Sequence, residues 1–221
     1  MRKLVVGTFL TLDGVMQAPG GPEEDRSGGF AHGGWAVPYI DDMIMQAMLE
    51  WIQPAGGLVL GRKTYEIFAA HWPYITDDDP IAAKLNRMPK HVASRTLDRL
   101  EWAHSSLLEG DLSEAVTKLK AEPGGELQVH GSGDLIQTLL QHSLIDEFRL
   151  WLLPVVLGQG KRLFAEGTVP MGLSLVDTRT ATTGAVLHVF RQQGTVPYGS
   201  FEQEVPSEAE LERRRKVDAA S

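Results

Sequence analysis

The sequence of 221 residues contains no cysteine. This absence excludes disulfide bonds, a catalytic thiolate, and zinc or iron–sulfur sites that depend on cysteine ligands, and no metal site is expected. The chain also lacks an excess of positive charge, because 29 acidic residues outnumber 21 lysines and arginines and give a formal net charge of −8. Proteins that bind a nucleic-acid duplex use a basic face to displace counterions, so we expect no nucleic-acid partner.

Long apolar runs are missing as well. No run approaches the roughly 20 residues that a membrane-spanning helix needs. The N-terminus passes from Arg2 and Lys3 into a short apolar stretch without the apolar core and cleavage pattern of a secretory signal. We therefore expect a cytoplasmic protein with no membrane partner. A hydrophobic content of 43% is sufficient for a core, and the length indicates about one domain.

Strand-like and helix-like stretches alternate along most of the chain, and the pattern becomes all-β from residue 146. Strands are predicted at 3–12, 58–60, 90–93, 127–130, 147–153, 155–157, 173–177 and 186–192, and helices at 41–51, after Gly61, at 81–88, at 113–120 with Ser113 as its cap, and at 135–142. This order predicts an α/β fold whose mixed sheet is mostly parallel, with antiparallel C-terminal strands. Residues 1–194 would form the domain and 195–221 a solvated tail that can form a frayed helix.

The stretch 57–68 carries the features of an anion site. Residues 58–60 form a buried strand, Gly61 a turn, and a helix follows at once. Arg62, Lys63 and Thr64 then lie beside unpaired N–H groups at the positive end of that helix, where phosphates bind. On these residues alone, an ordinary turn with exposed basic side chains is an equally good interpretation.

Two further strand ends have similar chemistry. Ser94 and Arg95 follow one strand, and the turn Gly131–Ser132–Gly133–Asp134 follows another. The carboxyl ends of strands in an open α/β sheet line one crevice, so these groups should meet. The glycine turn lacks the third glycine of the Rossmann fingerprint, which disfavours that fold. The cations present in addition to the glycine turn fit a ligand such as NADP, because the negative charge of its 2′-phosphate must be neutralised.

Four stretches taken together resemble a known family: residues 11–14, 60–66, 129–135 and 154–164. They are similar to the reductase domain of the bifunctional deaminase–reductase of riboflavin biosynthesis, over roughly residues 1–191. The resemblance implies a dihydrofolate-reductase-like fold with helices on both faces of the sheet, NADPH as cofactor, and a homodimer. It also implies hydride transfer to a small heterocyclic or ribosyl-pyrimidine substrate, such as 5-amino-6-(5-phosphoribosylamino)uracil.

The resemblance assigns the cofactor to the three strand ends. Gly61, Arg62, Lys63 and Thr64 match the turn around the NADP phosphates, Ser94 and Arg95 the strand end beside the adenosine, and Gly131, Ser132, Gly133, Asp134 and Leu135 the turn over the pyrophosphate. Related reductases have a strained Gly-Gly peptide in that turn, where this chain has Ser132. The loop 13–35 would cover the nicotinamide.

The substrate side departs from the family pattern. His130 stands where riboflavin-type reductases have a glutamate. A Trp-x-x-Pro motif begins at Trp35, but the carboxylate position of dihydrofolate reductases falls on Ile40, with Asp41 next. The candidate catalytic residues are Asp13, His130 and Asp41, and the candidate substrate-binding residues are Trp35, Tyr39 and His130.

Each of these candidates also has a structural interpretation. His130 could be a neutral donor, a proton source near pH 7, or a structural residue, while Asp13 could be a turn former. For Asp41 a helix cap is the favoured role. A pteridine or folate reductase and a non-catalytic nucleotide-binding protein remain the alternative functions.

Overall fold

A computed structural model describes residues 1–76, 78–202 and 204–219. Its strands are β1 (Leu4–Thr11), β2 (Ala55–Gly61), β3 (Lys90–Ala93), β4 (Ser105–Leu107), β5 (Glu126–Val129), β6 (Glu147–Leu153), β7 (Leu173–Thr180) and β8 (Val186–Gln192). Its α-helices are α1 (Asp42–Ile52), α2 (Arg62–Ala69), α3 (Pro80–Arg87), α4 (Leu112–Ala121), α5 (Gly133–Gln141) and α6 (Glu208–Asp218). The predicted helices and most of the predicted strands are therefore confirmed within a few residues.

The strands form one sheet in the order β4-β3-β2-β5-β1-β6-β8-β7. Neighbouring strands from β4 to β6 are parallel, whereas β8 runs antiparallel to both β6 and β7. This arrangement confirms the α/β fold with a mostly parallel sheet and an antiparallel C-terminal part. Parallel strands require crossover connections, and the helices between them provide these.

Helices cover both faces of the sheet. Successive side chains of a strand point to opposite faces of the sheet, so the side chains of β6 belong to two apolar clusters, one on each face. Phe148 lies in one apolar cluster with Ile136 of α5, and Trp151 lies in another with Ile44 of α1. The two faces of the sheet are thus buried by different helices, and the strand ends remain accessible between them.

Two local predictions were wrong. Residues 155–157 form no strand, because this segment bonds to the turn after β1: Leu12 N–H donates to the Val155 carbonyl at 2.8 Å. The cap of α4 is Asp111, whose Oδ1 accepts from the Ser113 and Glu114 N–H groups, rather than Ser113. The sequence also failed to indicate β4, a strand of three residues that pairs only with β3 among the described strands.

The C-terminal segment contains α6, in which no described residue is buried. Its charged side chains pair within the segment, as Arg213 and Arg214 do with Glu210 at 2.6 and 2.9 Å. The predicted helix in the tail is thus present, while the division of the chain after residue 194 stays a prediction. Among the residues that the structure describes, no helix is both long and apolar enough to cross a bilayer.

Candidate functional site

The carboxyl ends of β2, β3 and β5 open onto a cleft of about 1500 Å³. Gly61, Ala93 and His130 mark these three ends at its wall, and Gly7 to Phe9 of β1 contribute the neighbouring part. Parallel strands end at the same edge of a sheet, which is why residues far apart in sequence meet here. All predicted cofactor-binding residues from Gly61 to Leu135 line this cleft.

The hydroxyl of Ser132 joins the two glycine turns. It accepts a hydrogen bond from the Gly61 N–H at 2.9 Å and donates one to Thr64 Oγ1 at 2.6 Å. Gly131 and Ser132 have φ angles of 97° and 69°, so two consecutive residues occupy the left-handed region. A Cβ atom on Gly61 would lie 2.7 Å from Ser132 Cβ, so only glycine fits there. The start of α2 and the start of α5 are thereby held against each other.

Four cations line the cleft, and they differ in how far they are already paired. Arg62 lies 3.3 Å from Glu66, and Lys63 Nζ lies 4.0 Å from an Asp25 oxygen. Lys161 binds the other oxygen of Asp25 at 2.5 Å. Arg95 is exposed and has no ion pair with any described residue. The cleft therefore offers at least one cation that is ready for an anionic ligand.

These groups fit a dinucleotide with several phosphates. Unpaired N–H groups at the starts of α2 and α5 and the Thr64 hydroxyl supply hydrogen bonds, and the cations supply charge. A Cβ atom added to Gly133 would meet nothing within 4 Å, so the space beside the start of α5 is open. Two predicted residues have other tasks: Ser94 Oγ accepts from the Thr96 and Leu97 N–H groups and shapes its loop, and Leu135 is buried in the core.

His130 lies in the cleft as a neutral imidazole. Burial and the charge of Arg149 lower the pKa of His130 to about 4. Its Nε2 lies 2.9 Å from Gln128 Oε1. Gln128 uses its Nε2 to donate to the Trp51 carbonyl at 2.5 Å and to Glu126 at 2.6 Å, so it presents its oxygen to the histidine. His130 Nε2 consequently carries the hydrogen, which favours the neutral donor over a proton source near pH 7 among the interpretations of this residue.

The structure places Asp13 and Asp41 outside the cleft. Asp41 caps α1 through an Ile44 N–H bond of 3.0 Å and also accepts from the N–H and hydroxyl of Thr182 at 2.9 and 2.7 Å. Asp13 accepts from the Thr11 hydroxyl, which lowers the pKa of its carboxyl to about 2, and from the Leu157 and Gly158 N–H groups. Both carboxylates hold loops together.

The predicted substrate residues Trp35 and Tyr39 do not line the cleft either. Trp35 is 8% exposed and donates from Nε1 to the Gln17 carbonyl at 2.8 Å, while the Tyr39 carbonyl accepts from Thr183 at 2.8 Å. Their neighbours Val37 and Ile40 reach the cleft instead. The prediction thus located the right segment but not the side chains that face a ligand.

Sequence reasoning missed a group of aromatic side chains in the cleft. They are Phe9, Trp51, Phe68 and Trp151, which together with His130 we call the aromatic pocket. Trp51 and its neighbour Met48 had the spacing of an ordinary core stripe, and nothing in that spacing distinguishes a core wall from a cavity wall. Asp25 and Lys161 were also missed, since their contact joins residues 136 positions apart.

A family model described as the RibD C-terminal domain matches residues 2–188. The protein YyaP of Bacillus subtilis (strain 168), which is named as uncharacterised, is 28% identical over an alignment of 198 residues, and the match covers 87% of this chain and 96% of YyaP.

Two solved structures share the fold. One, a protein of Shewanella sp. PV-4 provisionally named for riboflavin biosynthesis, superposes with a TM-score of 0.67 and 21% identity over 86% of this chain and 99% of its own. The other is the dihydrofolate reductase of Enterococcus faecalis in complex with NADP(H), with a TM-score of 0.57 and 14% identity over 86% of this chain and 96% of its own. The dihydrofolate-reductase-like fold expected from the sequence is thus confirmed.

Proposed function

The chain belongs to the family of RibD C-terminal domains, and we propose that it is an NADPH-dependent reductase of a small heterocyclic substrate. The observation that carries the proposal is the pair of glycine turns joined by Ser132, because they direct two helix N-termini, a free hydroxyl and several cations into one cleft. That donor set suits a phosphorylated dinucleotide.

The residues of the cleft have separate tasks in this proposal. The N–H groups of both turns and Thr64 bind the pyrophosphate, and Arg62, Lys63 or Arg95 bind the 2′-phosphate that distinguishes NADPH from NADH. When bound, the dihydronicotinamide supplies a hydride. Val37 and Ile40 line the substrate side of the cleft. Because His130 is neutral and Asp13 and Asp41 lie elsewhere, we propose that water in the cleft supplies the proton.

A titration with NADPH and with NADH tests the cofactor. Trp51, Trp72 and Trp151 line the cleft, so bound cofactor should quench tryptophan emission. We expect tighter binding of NADPH, and at least about a tenfold loss of affinity in a variant with both Arg62→Ala and Lys63→Ala, since removing a charge-assisted hydrogen bond to a phosphate costs roughly 1.4 kcal/mol. A matched control, Arg213→Ala with Lys216→Ala, removes the same charge from α6. If the wild-type protein binds neither cofactor at millimolar concentration, the proposal is wrong.

Two alternative functions predict different results in assays of the same purified protein. A non-catalytic nucleotide-binding protein would hold NADPH and oxidise none with any acceptor. A folate-type reductase would need an acid at the substrate, yet Asp41 is committed to α1 and Thr182. Turnover of dihydrofolate that is lost in Asp41→Asn would support that alternative against ours.

We further propose that the protein forms a homodimer through the exposed part of the sheet face at β8 and β7. Phe190 of β8 pairs with Phe148 and with Leu175, so these three side chains share one face. Phe148 is covered by the core, whereas Leu175 at the edge is 53% exposed. Sedimentation velocity should show a dimer that dissociates in Leu175→Lys but not in Tyr74→Lys, a control that alters another exposed side chain. A monomeric wild-type protein would refute the dimer.

A further inference from the structure

The floor of the aromatic pocket spans three neighbouring strands. β5, β1 and β6 are adjacent in the sheet, and His130 directly after β5, Gly7 of β1 and Trp151 of β6 line the same part of the cleft. A Cβ atom on Gly7 would lie 3.5 Å from His130 Nδ1 and 3.6 Å from Trp151 Cζ3. The absence of a side chain at Gly7 therefore leaves a flat recess between two aromatic rings.

Further rings form the walls of this recess. The ring of Trp51 from α1 lies 4.4 Å from that of Trp151, and the ring of Phe9 stacks on Trp151 at 5.0 Å. On the other side Phe68 from α2 lies 6.4 Å from His130. Phe9, Trp51 and Phe68 are only partly buried although large and apolar, so their remaining surface faces the cleft. A planar ligand would cover this surface and form stacking interactions with it.

No charged side chain of β1, α1 or β6 lines the cleft among the described residues. The guanidinium of Arg149 in β6 lies 5.9 Å from the Trp51 ring, but Glu126 and Glu147 already pair with it at 2.7 and 2.9 Å. The described residues that β1, α1 and β6 contribute to the cleft are Gly7, Thr8, Phe9, Met45, Met48, Trp51, Ile52 and Trp151. His130 adds a neutral ring. The cations of the cleft lie instead at the start of α2 and in the loops around it. There Asp25 forms ion pairs with Lys63 and Lys161, and Glu66 forms one with Arg62.

We propose that the aromatic pocket binds a flat, uncharged, conjugated ring system as the substrate, and that it does not hold a phosphoribosyl chain. This inference rests on the proposed reductase function and narrows it. A phosphate placed among these side chains would lose its hydration without meeting an unpaired cation, because Arg149 is already bound by Glu126 and Glu147, whereas a neutral ring exchanges water for aromatic neighbours. In the reaction the ring takes up a hydride from NADPH and a proton from water, so one NADPH becomes NADP⁺ for each ring that gains two electrons.

Two ligands that differ by a phosphorylated chain test whether the pocket prefers a bare ring to a ring that carries a phosphate. Lumiflavin and FMN share one planar ring, but FMN carries a phosphorylated chain. Binding of each to the protein without NADPH can be followed by flavin fluorescence. We expect lumiflavin to bind at least about tenfold more tightly than FMN, and lumiflavin to oxidise NADPH under anaerobic conditions faster than 5-amino-6-(5-phosphoribosylamino)uracil does.

Variants of the pocket test the location. Trp51→Ala should weaken lumiflavin binding about tenfold, and Trp51→Phe should retain most of it, while NADPH affinity stays within about twofold in both. The hydrogen bonds that Trp51 makes to Gln128 and Arg149 use its backbone carbonyl and survive these changes. Met48→Lys places a cation in the recess and should shift the preference toward FMN, which a purely structural effect would not do.

The outcomes separate this inference from the proposed function. FMN or the phosphoribosyl compound binding as tightly as lumiflavin would overturn the inference, as would lumiflavin affinity that is indifferent to Trp51→Ala and Met48→Lys. Lumiflavin that does not bind while NADPH does would refute the inference alone. Failure of NADPH to bind would refute the proposed reductase function. Because lumiflavin binding is measured without NADPH, it would still test the aromatic pocket in that case.

Discussion

At the scale of single residues, Ser132 combines an unfavourable backbone conformation with a favourable contact. A non-glycine residue at a φ of 69° carries a steric cost that glycine avoids. Its hydroxyl offsets that cost by binding Gly61 and Thr64 together. Because Ser132 donates its own hydrogen to Thr64, the hydrogen of the Thr64 hydroxyl stays available for a ligand.

Replacement of Ser132 by glycine should therefore separate stability from cofactor affinity. We expect Ser132→Gly to leave Tm almost unchanged, since the relief of strain offsets the missing hydrogen bonds, while NADPH affinity falls roughly five- to tenfold because the turns are no longer held together. Ser143→Gly is the matched control, because Ser143 also has a positive φ, of 52°, but lies beyond α5. Equal NADPH affinity in the two variants would contradict this role of Ser132.

His130 should make the stability of the protein depend on pH. In the folded protein its pKa is about 4, below the ordinary value of 6.5, so the unfolded chain binds more protons between these two values. The free energy of unfolding should fall as the pH drops from 6.5 toward 4, by roughly 3 kcal/mol at most from this residue. His91, whose pKa is also lowered by burial, acts in the same direction.

Urea unfolding at several pH values measures this effect. His130→Asn should show a shallower decline of stability between pH 6.5 and pH 4 than the wild-type protein. Identical slopes would mean that His130 titrates normally in the folded state. Above pH 7 the two slopes should coincide, since the imidazole is neutral in both states.

At the scale of elements, the helices start where short polar side chains cap them. Asp41, Asp79 and Asp111 each accept from N–H groups in the first turn of α1, α3 and α4. Such caps satisfy donors that have no partner within the helix. The cap positions of α2 and α5 are Gly61, which has no side chain, and Ser132, whose side chain does not cap its own helix, and this leaves N–H groups for a ligand.

Asp41 should therefore act on stability and not on binding. We expect Asp41→Ala to lower Tm by about 2–4 °C, because α1 is deprived of its cap and of the hydrogen bonds to Thr182. NADPH affinity should not change. Asp42→Ala is the control, since Asp42 is exposed in the same turn and caps nothing that the structure describes. If the Asp41→Ala variant folds and binds NADPH but has no remaining turnover, Asp41 takes part in catalysis.

At the scale of the whole molecule, the sheet brings both turns and the aromatic pocket together, and the C-terminal segment lies apart from them. None of the described residues 195–219 lines the cleft. A chain that ends after Gly194 should keep the cofactor affinity of the full chain, because every group assigned to NADPH remains. Titration of both chains with NADPH checks this, and a loss of affinity beyond about threefold would mean that the tail supports the site.

Much of the site was accessible to prediction, for a physical reason. Residues 58–64 and 129–135 each combine a buried strand, a glycine turn and a helix start, and all three features are local in sequence. The strand period predicted β3, β6 and β8 to the residue. The role of Asp41 as the cap of α1 was favoured for the same reason, since a cap acts within three positions of its own helix.

The sequence alone was therefore sufficient to predict the helices, most of the strands, the mixed sheet and the two glycine turns suited to phosphate. Only the tertiary structure decided which side chains face the cleft. The aromatic pocket depends on the packing of Trp51 from α1 against Trp151 and of Phe68 from α2 near His130. Asp13 binds N–H groups 144 and 145 positions later in the chain, which hold it outside the cleft. Such contacts follow from packing between distant segments, and neither periodicity nor spacing encodes them.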